Sequence, residues 1–145
     1  MASTPAAFDD DATRPVVTVL VYSDDAPTRA SVRSAIGRRP AADLPEIAWL
    51  EAATKAALIE AADSQTVDIF ILDGESTPAG GLGMAKQLKD EIFQCPPILV
   101  LTGRPQDAWL ATWSRADAAV PHPLDPIALS EAFLTLARQA LAQQA

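Results

Sequence analysis

The chain has 145 residues, of which 49% are apolar, and it carries a formal net charge of -8 with a pI near 4.4. This length predicts one domain, and the apolar fraction excludes wholesale disorder. The negative charge disfavours nucleic-acid binding, and no apolar run in the sequence is long enough to predict a membrane span. The single cysteine, Cys95, and the lack of a secretory signal together predict a cytoplasmic protein.

The first fourteen residues differ in composition from the rest of the chain. Residues 1–14 are small, polar and acidic, and they include the run Asp9-Asp10-Asp11. Such a segment cannot bury enough apolar surface to offset the entropy cost of ordering, so it predicts a disordered tail. The folded domain is then expected over residues 15–145.

After the tail, apolar runs typical of buried strands alternate with segments of helical pattern. Strands are predicted over residues 16–22, 47–50, 67–72, 98–101 and 118–120. Helices are predicted over residues 27–37, 54–62, 84–92, 105–115 and 126–140, with Asp125 as the cap of the last one. Five strands that alternate with five helices through short loops predict a parallel α/β sheet covered on both faces.

Polar residues follow the predicted strands at their carboxyl ends, where folds of this class place their working sites. Carboxylate oxygens suit a hard cation such as Mg²⁺, and a carboxylate can also act as a phosphoryl-accepting nucleophile. The residues concerned are Ser23-Asp24-Asp25 after the first strand, Asp73 after the third, Thr102-Gly103 after the fourth and Pro121-His122-Pro123 after the fifth.

In this order and spacing, four motifs resemble the response-regulator receiver family over roughly residues 16–140. They are the acids after the first strand, VDIFILD ending at Asp73, ILVLTG before Gly103, and HPLDP at residues 122–126. The resemblance implies a doubly wound, flavodoxin-like sheet of five parallel strands in the order 2-1-3-4-5. It also implies a role in phosphorelay (two-component) signalling through contacts with other proteins, without enzymatic release of a product. Because the sequence ends one predicted helix after the fifth strand, we expect a stand-alone receiver without an output domain.

By this resemblance, each residue after a strand acquires an expected role. Asp73 is the candidate phosphoacceptor, and Thr102 is the hydroxyl that contacts the phosphoryl group. Mg²⁺ is expected on Asp24, Asp25 and Asp73, together with the backbone carbonyl of Glu75.

Other positions depart from the family pattern. His122 stands where the family usually has lysine, and Ala119 stands where it usually has a switch aromatic. Counting back from Arg29 places Ser23 and Asp24 at the family's acidic pair, whereas counting from the end of the strand places two aspartates there. Two mechanisms therefore stay open, a receiver switched by phosphorylation and an atypical receiver held in one state.

Two tryptophans, Trp109 and Trp113, lie four residues apart on the predicted fourth helix. They either close the core or form a contact patch, since tryptophan is enriched at interface hot spots. The resemblance implies that the fourth helix, fifth strand and fifth helix bind partners, with a sensor kinase and a second copy of the chain as candidates. A flavin- or small-ligand-binding domain on the same scaffold is the third interpretation, although the glycine-rich loop does not match a phosphate-cradling loop.

Overall fold

A computed structural model of the chain describes residues 16–104 and 108–144, so the predicted tail lies outside the described residues. The strands are β1 (Val16–Tyr22), β2 (Glu46–Ala52), β3 (Ile69–Asp73), β4 (Ile98–Thr102) and β5 (Ala118–Pro121), and the helices are α1 (Ala26–Ile36), α2 (Lys55–Ser64), α3 (Gly81–Glu91), α4 (Ala108–Trp113) and α5 (Pro126–Gln144). The strands form one all-parallel sheet in the order β2-β1-β3-β4-β5, which confirms the predicted fold class and strand order. Within the described ranges, no helix combines the length and apolar character that crossing a bilayer requires.

The central strands β3 and β4 are buried at every position, as expected for strands with helices on both faces. The third strand begins at Ile69, two residues later than predicted, and it ends at Asp73, one residue later than predicted. Val67 is apolar but lies before the strand, because the residue register with β1 begins at Ile69 and is preceded by a hydrogen bond from Asp68 N–H to the carbonyl of Thr18.

The edge strand β2 is longer than its apolar run predicted, since it pairs with β1 from Glu46 to Ala52. Its two glutamates form ion pairs with arginines of α1 and with arginines of the loop after α1. Arg29 and Arg33 both contact Glu51, at 2.8 and 2.6 Å. The second glutamate, Glu46, is contacted by Arg38 at 2.7 Å and by Arg39 at 3.2 Å.

Alternate residues of β1 face opposite layers of the core, because successive side chains of a strand point to opposite sides of the sheet. Val19 and Val21 pack into the layer that α1 and α5 cover, which includes Phe133. Leu20 and Tyr22 pack into the other layer, against α2 and α3. This alternation decides which side of the sheet each residue after the strand faces.

Aspartates cap two of the helices. The carboxylate of Asp25 accepts the backbone N–H of Thr28 at 3.1 Å, so α1 begins directly after it. The predicted cap of the last helix is confirmed, since Asp125 accepts the N–H of Ile127 at 3.1 Å. The sequence predicted the capping bond of Asp125. The capping bond of Asp25 engages the carboxylate that was expected to bind metal.

Helix α4 ends at Trp113, two residues earlier than predicted, and residues 105–107 of the predicted helix lie outside the described ranges. Arg115 has a φ of 66°, which lies in the left-handed region and cannot continue a right-handed helix. The hydroxyl of Ser114 donates to the carbonyl of Ala111 at 2.7 Å, so one of the last carbonyls of the helix is satisfied.

Candidate functional site at the strand tips

The buried carboxylate of Asp73 is the centre of the site and is only 3% exposed. Its Oδ2 accepts the hydroxyl of Ser23 at 2.7 Å. Its Oδ1 accepts the backbone N–H of Glu75 at 3.0 Å and lies 3.0 Å from Nε2 of His122. Burying a carboxylate is costly unless donors surround it, and three donors from three different segments meet that requirement here.

The strand register explains why Ser23 contacts Asp73. Tyr22 of β1 is paired with Leu72 of β3, so the next residue along each strand brings Ser23 and Asp73 side by side. Ser23 also continues the alternation of Val19 and Val21 and therefore faces the same side of the sheet as Asp73. The hydroxyl, with no negative charge, occupies the place beside the central carboxylate.

Asp24 faces the other side and contacts the loop between β3 and α3. Its backbone N–H donates to the hydroxyl of Ser76 at 2.7 Å, and that hydroxyl lies 3.2 Å from Asp24 Oδ1. Its Oδ2 accepts the hydroxyl of Thr77 at 3.1 Å. The hydroxyl of Thr77, followed by that of Ser76, lowers the pKa of Asp24, because both donate to its charged form.

A third bond ties the same loop to β1. The phenol of Tyr22 donates to the carbonyl of Ala79 at 2.6 Å. Burial raises the pKa of this phenol, and the negative charge of Asp24 adds to the effect. Tyr22 therefore stays neutral and keeps the proton that this hydrogen bond needs.

Asp25 is a predicted metal ligand whose carboxylate makes other contacts, whereas Glu75 is predicted to contribute its backbone carbonyl and its carboxylate lies elsewhere. Asp25 accepts the N–H and the hydroxyl of Thr28, the latter at 2.6 Å, so its carboxylate belongs to the start of α1. The carboxylate of Glu75 lies over the backbone of Gly103, where a Cβ would stand 2.5 Å from Oε1. The structure thus brings neither carboxylate into a cluster with Asp73.

The remaining predicted residues, Thr102 and His122, lie on neighbouring strand ends. Thr102 is buried, and its carbonyl accepts the backbone N–H of His122 at 2.7 Å. The imidazole lies over Asp73, with Nε2 3.0 Å from Oδ1. The peptide bond between His122 and Pro123 is cis.

The donor set does not fit a preassembled Mg²⁺ site. Over residues 16–104 and 108–144, no three acidic, histidine or cysteine side chains converge closely enough to share an ion. Mg²⁺ requires near-octahedral oxygen ligands, and in proteins one or two carboxylates usually supply part of them. Here Asp24 is bound to loop hydroxyls, Asp25 caps a helix and Asp73 is bound to Ser23 and His122. The three predicted carboxylates are therefore each engaged with protein donors, while the predicted contribution of the Glu75 backbone carbonyl stays a prediction.

The two tryptophans of α4 are exposed, Trp109 to 66% and Trp113 to 50%. They do not close the core, so of the two interpretations drawn from the sequence the structure favours the surface patch. Lys86 of α3 places its Nζ 5.8 Å from the ring centroid of Trp113, in the range of a cation–π contact.

Three residues of the site were missed in the sequence, namely Tyr22, Ser76 and Thr77. Each contacts a residue more than fifty positions away along the chain. Only the hydroxyls in the loop after Asp73 offered a signal, and hydroxyls in a turn usually indicate bonds to their own backbone.

Known proteins of similar sequence carry the name of a single family. Two uncharacterized response regulatory proteins of Mycobacterium tuberculosis, from strains CDC 1551 and H37Rv, are each 58% identical to this chain over 120 residues. The match covers 83% of this chain and 90% of each relative. No model of a protein family matches the chain.

Several solved structures that share this fold are response regulators or their receiver domains. A CheY-like receiver domain protein from Methanospirillum hungatei has a TM-score of 0.69 at 14% identity, over 89% of this chain and 99% of that one. The chemotaxis response regulator CheY4 of Vibrio cholerae has a TM-score of 0.69 at 19% identity, over 84% and 99%. A Burkholderia pseudomallei response regulator, solved with a phosphorylated aspartic acid, a calcium ion and citrate, has a TM-score of 0.66 at 23% identity, over 89% and 73%.

The strand order, the carboxylate at the tip of β3 and the sequence identity to the mycobacterial relatives agree with one another. The chain belongs to the response regulators of two-component systems and has the fold of their receiver domain.

Proposed function

We propose that this chain is an atypical receiver that acts by binding a protein partner and is held in one state, without phosphorylation of Asp73. The observation that carries this proposal is the engagement of both carboxylate oxygens of Asp73 inside the fold. Such a receiver signals by contact and releases no product. The lone free cysteine, Cys95, is in keeping with the reducing cytoplasm in which we expect it to work.

Phosphoryl transfer to Asp73 is disfavoured on two grounds. A phosphoryl group on Oδ2 would displace the hydroxyl of Ser23, and one on Oδ1 would displace the imidazole of His122 or the N–H of Glu75. Charge developing on the transferred group also requires fixed cations nearby. The described residues assemble no divalent-cation cluster there, and histidine supplies a shorter side chain than lysine, with a charge that depends on pH.

The partner surface of the proposal is α4 with the adjoining β5 and α5. Trp109 and Trp113 expose large apolar rings at low conformational cost, which is the property of residues that anchor interfaces. Ile127, in the first turn of α5, is a further large apolar side chain that is 71% exposed. A sensor kinase and a second copy of the chain are the candidate partners.

The first test measures whether Asp73 responds to phosphoryl chemistry. The full chain is titrated with Mg²⁺ and beryllofluoride, and separately treated with acetyl phosphate, while backbone amide signals and intact mass are recorded. We expect wild-type signals of Asp73 and Thr102 to stay in place and no phosphoryl mass to appear. The matched positive control is the double variant Ser23→Asp/His122→Lys, which restores the residue types that the family resemblance implies and should respond.

The second test measures whether partner binding depends on Asp73. Wild type, Asp73→Asn and Trp109→Ala/Trp113→Ala are used as baits under identical conditions, and bound proteins are quantified by mass spectrometry. We expect the partner to be retained by Asp73→Asn and lost by the tryptophan variant. The variant Phe93→Ala serves as the control, since Phe93 is 87% exposed and lies at the end of α3. Loss of the partner in an Asp73→Asn variant that is folded by circular dichroism, or beryllofluoride shifts in wild type, would instead point to a phosphorylation-dependent switch.

A further inference from the structure

Three consecutive residues hold the loop of residues 74–80 and the strand end before it, namely the last residue of β1 and the two residues that follow it. Tyr22 bonds to Ala79, Ser23 bonds to Asp73 at the start of the loop, and Asp24 bonds to the loop hydroxyls. We propose that the hydroxyls of Ser76 and Thr77 take the place of a divalent cation at Asp24, so that the loop holds its position without metal. We call Asp24, Ser76 and Thr77 the hydroxyl clamp.

Two hydroxyls of the loop contact Asp24, which is otherwise exposed. The hydroxyl of Ser76 accepts the N–H of Asp24 at 2.7 Å and donates to its Oδ1 at 3.2 Å, so one buried side chain serves two groups of the same residue. Thr77 donates to the other oxygen, Oδ2, at 3.1 Å. A carboxylate whose two oxygens both accept hydroxyls from one loop does for that loop what a bridging cation would do.

The charge of Asp24 is compensated by dipoles. In the described part of the chain no lysine, arginine or histidine forms an ion pair with Asp24. The hydroxyl dipoles stabilise its charged form through two hydrogen bonds. The clamp occupies one acceptor position on each oxygen of Asp24, so a cation at this place has to compete with two hydroxyl donors.

The clamp also fixes the far side of Asp73. The loop leads directly into Gly81, whose Cα lies so close to the backbone of Asp73 that an added Cβ would stand 2.6 Å from its carbonyl oxygen. If the loop moved away from β1, Gly81 would be displaced as well, and its close approach to the backbone of Asp73 would change. Ser76 and Thr77 are therefore positioning residues for the strand-tip site, and this role holds whether or not Asp73 accepts a phosphoryl group.

The test uses the full chain, with MgCl₂ as the probe and the amide signals of residues 73–80 as the readout. We expect the wild-type signals to be unchanged by EDTA and by millimolar Mg²⁺. In Ser76→Ala/Thr77→Val, the signals should shift or broaden without metal, and Mg²⁺ should return them towards order. The half-saturating Mg²⁺ concentration of this variant should lie at least about tenfold below the highest concentration at which wild type shows no response, because the cation no longer competes with charge-assisted hydrogen bonds.

The control is Ser64→Ala/Thr135→Val, which removes the same two hydroxyl types from backbone bonds on α2 and α5. It should leave the loop signals and their response to Mg²⁺ as in wild type. The inference is overturned if wild type and the clamp variant respond to Mg²⁺ with the same midpoint, or if the clamp variant keeps wild-type loop signals without metal. Should the double variant not fold, as judged by circular dichroism, Thr77→Val alone decides by the same two criteria, because its side chain is exposed and keeps its shape. Neither criterion involves phosphorylation or partner binding, so failure here is separable from failure of the proposed function.

Discussion

Replacement of Gly81 by alanine should destabilise the protein, whereas the same replacement two residues later should stabilise it. Helix α3 begins at Gly81, directly against the last two residues of β3. A Cβ at this position would lie 2.6 Å from the carbonyl carbon and oxygen of Asp73 and 2.7 Å from the carbonyl carbon of Leu72. Those atoms belong to the backbone of a buried central strand, so they cannot rotate away. At Gly83, by contrast, a Cβ would meet nothing within 4 Å.

Both substitutions gain helix stability from alanine, but only Gly81→Ala adds steric overlap with a neighbouring backbone. Alanine in place of glycine within a helix contributes about 0.5–1 kcal/mol of stability. Overpacking against a rigid neighbour costs about 1–3 kcal/mol, and backbone contacts belong at the upper end of that range. We therefore expect Gly81→Ala to lose about 1–2 kcal/mol and Gly83→Ala to gain up to about 1 kcal/mol.

Urea unfolding of both variants, followed by circular dichroism, measures this difference as a shift in midpoint at constant slope. Amide spectra should also show that Gly81→Ala displaces the signals of Asp73, while Gly83→Ala does not. Equal stability of the two variants would refute the reasoning, because it would mean that α3 can move away from β3 without cost.

Three further results are expected. Ser23→Ala removes a donor from the buried carboxylate of Asp73 and should lower the free energy of unfolding by about 1.5–3 kcal/mol, as measured by urea denaturation. A loss below about 0.5 kcal/mol, the size expected for an ordinary surface substitution, would contradict the importance of this bond. Thr77→Val removes the hydroxyl that does most to lower the pKa of Asp24 below its ordinary value of 3.8. A lowered acid pKa stabilises the fold above the unfolded pKa, and this contribution is lost as pH falls through the folded pKa. The stability difference from wild type should therefore be complete near neutral pH and close below about pH 3.8, and a pH-independent difference would contradict this cause. Trp109→Ala should leave stability within about 0.5 kcal/mol of wild type, because the ring is exposed, and a larger loss would assign Trp109 to the core.

Much of the fold could be predicted from the sequence because its strongest signals are local. The aliphatic runs that became β1, β3 and β4 are buried on both faces, and such strands show uninterrupted apolar residues. Boundaries were less predictable where pairing decided them. The edge strand β2 extends through Glu46 and Glu51 because β1 offers it a partner along its whole length.

The candidate site was predicted in part. The convergence of parallel strand tips and the family resemblance together predicted a common location for Asp73, Thr102 and His122. Which residue after β1 would face Asp73 depended on strand register, and a shift of one residue reverses every side chain. The sequence left that register open, and pairing of Tyr22 with Leu72 selects Ser23.

The hydroxyl contacts of the loop could not have been predicted from the sequence. Ser76 and Thr77 reach Asp24 across more than fifty residues, and only the folded position of the loop brings them together. Local patterns indicate hydroxyl bonds to nearby backbone, so they are silent about partners this distant.

The charged border of β2 has a consequence for solubility. An open sheet edge offers unpaired backbone groups to any other strand, and this is a common route to aggregation. Along this edge Glu46 and Glu51 are each held by two arginines, so an incoming strand would have to strip water and counter-charges from both sites before it could pair. We therefore expect the chain to resist strand-to-strand polymerisation at this edge even when concentrated.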